Sequence, residues 1–124
     1  MLVLFKRMDL EIKDIYSDDL GRDELPEDLY NFNIPLRVEI GEKGKEGAEV
    51  FHFVAASPLG LQDEVAEREF KLLRGYILMV KFDWRVVHRA VENVINHARS
   101  RNSWAEVVEF FNRYSRYDSE DLGR

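Results

Sequence analysis

The chain has 124 residues with 45% hydrophobic and 12% aromatic content, no cysteine and a formal charge of −6. That length suits one compact domain over residues 1–124, and the missing cysteines remove disulfides, thiol catalysis and thiolate metal sites. The acidic balance argues against general nucleic-acid binding, and no run approaches the roughly 18 apolar residues that a membrane helix needs.

The apolar start Met1–Phe5 precedes Lys6 and Arg7, the reverse of the order in an export signal, so the expected location is cytoplasmic. Residues 2–15 predict a strand with Leu2, Leu4, Met8, Leu10 and Ile12 on one face. An acidic loop follows, with six carboxylates between Asp18 and Asp28, closed by Pro26. Phe32, Ile34, Leu36, Val38 and Ile40 then alternate with Asn31, Asn33, Arg37 and Glu39, the pattern of a half-buried antiparallel strand. Pro35 cannot donate a ladder bond, which places the strand at an edge or a bulge there. The run Gly41–Gly47 reads as a hairpin loop whose glycines supply positive φ, followed by a strand from Val50 to Ala56.

Ser57-Pro58 is a helix start, and the short helix after it carries Asp63, Glu64, Glu67 and Glu69 on its wet side. The apolar run Tyr76–Val80 predicts a strand in the middle of the sheet. Asp83 can cap a helix whose stripe is Trp84, Val87, Val91, Val94, Ile95 and Ala98. Ser103 and Glu106 form a capping box for a last helix with Trp104, Val107, Val108, Phe111 and Tyr114 on its apolar face. The order predicts an α+β fold: a mostly antiparallel sheet of about four strands, with two C-terminal amphipathic helices on one face.

Catalytic and metal chemistry find little support. His88 and His97 lie nine apart on one helix, too far for a shared zinc, and His52 is on a strand. Ser57, Ser100, Ser103 and Ser115 sit in no strained nucleophile turn. The expectation is no enzyme, no cofactor and no metal. A small hydrolase using paired carboxylates rests only on the abundance of acids. An adaptor using Arg85, Arg89, Arg99, Arg101, Arg113 and Arg116 needs those residues to form one continuous patch.

Several segments carry a family resemblance. The hairpin Ile40–Val54 followed by Ser57-Pro58, the run Tyr76–Trp84, and the ending Ser103–Val108 with Arg113-Tyr114 resemble the immunity protein 8 family. Pro26-Glu27 and Tyr30-Asn31-Phe32 fit its spacing. Ala56 stands where the resemblance leads one to expect cysteine, and Gly60 where it leads one to expect tryptophan. The resemblance implies a cytoplasmic immunity protein of a bacterial polymorphic toxin system, including contact-dependent growth inhibition. Its partner would be the cognate toxin domain, a protein, and neither nucleic acid nor membrane.

If that toxin is a nuclease with a basic site, an acidic inhibitor surface would speed encounter and sit where phosphates bind. The candidate contacts are Asp18, Asp19, Asp23, Glu24, Glu27 and Asp28, with Tyr16 or Tyr30 as aromatic anchor. Asp63, Glu64, Glu67 and Glu69 form an alternative acidic face.

Overall fold

The computed structural model describes residues 8–99 and 101–117. The elements run β1 (Leu10–Tyr16), β2 (Asn33–Glu42), β3 (Glu49–Ala56), α1 (Pro58–Arg68), β4 (Tyr76–Leu78), α2 (Trp84–Ala98), α3 (Trp104–Phe111) and β5 (Arg116–Tyr117). The architecture is α+β, with a five-stranded mixed sheet that is mostly antiparallel. β1, β2 and β3 form a meander, and β4 joins β3 in parallel after the α1 crossover. β5 pairs with β3 lower on the same side, Tyr117 opposite Phe51.

β2 follows its alternation up to Ile40: Ile34, Leu36, Val38 and Ile40 are buried, while Asn33, Pro35 and Arg37 are exposed; Gly41, also buried, ends the pattern. Pro35 lies beyond the last β1 partner, since Tyr16 pairs with Arg37. There the Ser17 hydroxyl donates to the Pro35 carbonyl at 2.6 Å, so this residue turns its backbone away from β3 and its missing N–H breaks no ladder bond. β1 is shorter than expected and changes face midway, and Leu2 and Leu4 lie outside the described residues. A bulge at Lys13, between Ile12 and Asp14, shifts the register, so Leu10 and then Ile15 are buried while Ile12 is half-exposed.

The glycine loop between β2 and β3 turns with Gly44 and Gly47 at φ of 77° and 92°, as predicted. All three caps form: Ser57, Asp83 and Ser103 accept from the amides of Gly60, Arg85 and Glu106. The Glu106 carboxylate reaches back one residue further than a capping box requires, to the Asn102 amide at 2.9 Å.

α2 and α3 cover the inner face of the sheet. Val87, Val91, Ile95 and Ala98 of α2, with Val107, Phe110 and Phe111 of α3, join the strand residues in one core. Phe111 stacks on Phe51 with ring centroids 4.8 Å apart. Trp84, Val94 and Trp104 are half-buried against this core, and Tyr114 is exposed, leaving Phe110 to complete the α3 face. The larger correction concerns β4. It is three residues long, bonded only to β3 among the described strands, with Leu78 and Val80 exposed. A parallel strand reached over one crossover helix has settled at the margin, so only alternate side chains, Ile77 and Met79, are buried.

Candidate protein-binding face

The acidic loop crosses from β1 to β2 and is tied down by its own polar groups. Asp18 pairs with the Arg37 guanidinium at 2.9 Å. Glu24 accepts from the Gly21 amide at 3.2 Å, and its carbonyl takes the Trp84 indole N–H at 2.9 Å. Asp28 accepts from the amides of Tyr30 and Asn31, at 2.8 and 3.2 Å, and closes an Asx turn. The carboxylates of Asp19, Asp23 and Glu27 make no side-chain hydrogen bond or ion pair among the described residues and face solvent.

The two candidate tyrosines are separated. Tyr16, at the end of β1, lines a cleft of about 650 Å³ with Leu20 and Asp23 of the loop and Trp84, His88 and Glu92 of α2. Tyr30 lines a shallower hollow with Pro26, Glu27 and Asp28. Trp84, His88 and Glu92 were not among the expected site residues. Their spacing by four puts them on one face of α2, beside the buried stripe, and that spacing is the signal that could have found them.

In the cleft Arg22 grips Asp14 with two hydrogen bonds of 3.1 Å. These bonds, more than the guanidinium's charge, hold the Asp14 carboxyl below its ordinary value of 3.8. Among the described residues no group of three or more His, Asp or Glu side chains could hold a metal ion. His97 is engaged with the Asn93 carbonyl at 2.7 Å, while His88 is exposed in the cleft and His52 stands on β3.

The arginine set is divided. Arg85 is bound to its own helix cap, Asp83, at 3.0 Å. Arg99 reaches the Leu10 carbonyl, and Arg101 and Arg113 flank the Phe110 ring at 4.5 and 5.7 Å. No helix among the described residues is long and apolar enough to cross a membrane.

The alternative acidic face adjoins the loop. Asn31 donates to Asp63 at 3.4 Å and Asn33 to Glu64 at 2.6 Å, so the first turns of α1 lie against the segment that leaves the loop. Gly60 makes that approach possible, because a Cβ there would stand 2.0 Å from the Phe32 carbonyl oxygen. Any side chain at position 60 would force α1 away from β2, and tryptophan most of all.

No curated protein and no solved structure matches the chain significantly. The family model described as immunity protein 8 matches residues 10–122, nearly its whole length, and the chain therefore belongs to the immunity protein 8 family.

Proposed function

We propose that this immunity protein protects its cell by binding, one to one, the toxin domain of its own polymorphic toxin system, of the contact-dependent growth inhibition kind. The observation that carries the reading is the family match over residues 10–122. In this reading the protein acts in the cytoplasm as an inhibitor without catalysis of its own, and the toxin is a nuclease whose site attracts phosphate. The loop supports it by presenting Asp19, Asp23 and Glu27 to solvent with no cation bound to them among the described residues. Carboxylates so placed accelerate encounter with a cationic surface and occupy positions that phosphates would take.

The test uses the purified protein and the catalytically inactivated toxin domain encoded next to its gene. A stable 1:1 complex on sizing with light scattering, together with survival of cells expressing both partners, is the expected result. No complex and no protection would overturn the immunity reading. Complex formation with a toxin that does not cleave nucleic acid would keep the inhibitor and remove the nuclease.

A further inference from the structure

Four large apolar side chains stand in water around one end of the sheet: Tyr30 and Leu59, each 50% exposed, Leu78 at 58% and Val80 at 68%. They come from three separate segments that hydrogen bonds draw together. The Phe82 amide donates to the Leu29 carbonyl at 2.8 Å. The Met79 amide donates to Ala56 and the Ser57 amide to Phe32, each at 3.0 Å. The Ser57 hydroxyl, fully buried, takes the Phe32 and Gly60 amides at 3.0 Å each. The loop exit, the start of α1 and the end of β4 are thereby fixed side by side.

Charge is concentrated in these same segments. Residues 18–31, 57–64 and 78–83 together hold nine carboxylates and two basic residues, a net of −7. Arg37, Lys71 and Arg85, outside these segments, pair with Asp18, Glu64 and Asp83, which leaves this end at −4 and the rest of the chain at −2. Apolar groups at the centre with charge around them is the anatomy of a protein-binding surface.

We infer that this end of the sheet is the toxin-docking face, with Tyr30, Leu59, Leu78 and Val80 as its apolar anchor and Asp19, Asp23, Glu27 and Asp63 in its acidic rim. The inference rests on the immunity reading above and unites the loop and the α1 carboxylates into one surface. Its occupant is a toxin domain that offers an apolar depression bordered by lysine or arginine. A second copy of this chain is disfavoured there, because two faces of net −4 would repel. The barer Leu72, 88% exposed, belongs to the segment between α1 and β4, next to Lys71, which pairs with Glu64, and is not one of the four anchors.

The experiment compares three variants with the unmodified protein for binding to the inactivated toxin domain from the neighbouring gene. Leu59→Ser with Val80→Ser keeps the charge, and both sites are exposed, so thermal melting should match the parent. Dissociation at least about tenfold faster, with little change in association, is expected of lost anchors. Asp19→Asn with Asp23→Asn and Glu27→Gln should slow association and flatten its salt dependence. Leu72→Ser should bind as the parent does. Normal binding by the first variant, or loss confined to Leu72→Ser, would overturn this placement while leaving the immunity reading intact. Failure of the parent to bind would overturn both. A homodimer of the parent that Val80→Ser dissociates would assign the face to a second copy instead.

Discussion

In β2 every second residue is dry. Ile34, Leu36, Val38 and Ile40 are buried, and the positions between them are polar or proline. The run Tyr76–Val80 is apolar at every position, yet only Ile77 and Met79 are buried. The pleat imposes the same alternation on both, whatever the residue types. In β2 composition agrees with the pleat; around β4 it exceeds what the core can use. Leu78 and Val80 keep most of their surface outside the core, and the proposed docking face is built on that surplus.

The largest effect expected from the dry side is at Phe111, which is fully buried against Phe51. Phe111→Ala should lower the unfolding free energy by about 3–5 kcal/mol in urea titration. A matched pair then separates the two regions directly. Val38→Thr places a hydroxyl in the core and should cost about 1–3 kcal/mol. Val80→Thr should stay within about 0.5 kcal/mol of the parent. Equal costs would show that the end of β4 is covered after all. Between the regions, Ser57→Ala would strand the Phe32 and Gly60 amides and should cost about 1–2 kcal/mol by the same titration.

The smallest expected effect is electrostatic. A hydrogen bond from Lys71, more than that from Asn33, holds the Glu64 carboxyl below its ordinary value of 4.5. A carboxyl depressed in the folded state contributes stability above its unfolded pKa, and loses it as pH falls through the folded one. Stability should therefore decline slightly below about pH 4.5, and Glu64→Gln should make that acid limb shallower. An unchanged limb would show that this half-buried pair contributes nothing, as many ion pairs near the surface do not.

What could be read from residues alone follows the range of the forces involved. The β2 alternation, the hairpin glycines and the caps at Ser57, Asp83 and Ser103 are local, and each appears where expected. The bulge at Lys13 is not local: it exists because β1 must match β2 across the ladder. The marginal position of β4 depends on which edge of β3 remained open, and no periodicity within Tyr76–Val80 encodes that. The acidic residues of the candidate face were legible as a loop and a helix side. Their junction through Asn31 and Asn33, and the apolar centre between them, required the three-dimensional arrangement.

β3 also sets an order of assembly. Its β2 edge is completed by a neighbour in sequence, through a hairpin that can close within microseconds. Its other edge waits for two late arrivals, with Val54 meeting Tyr76 and Phe51 meeting Tyr117. Distant pairings of this kind form slowly, and a strand whose edge stays open meanwhile can recruit a foreign chain. During refolding, amide protection should thus arise in β1, β2 and the inner edge of β3 before it arises along β4 and β5. The interval between the two is when this molecule is most exposed to aggregation.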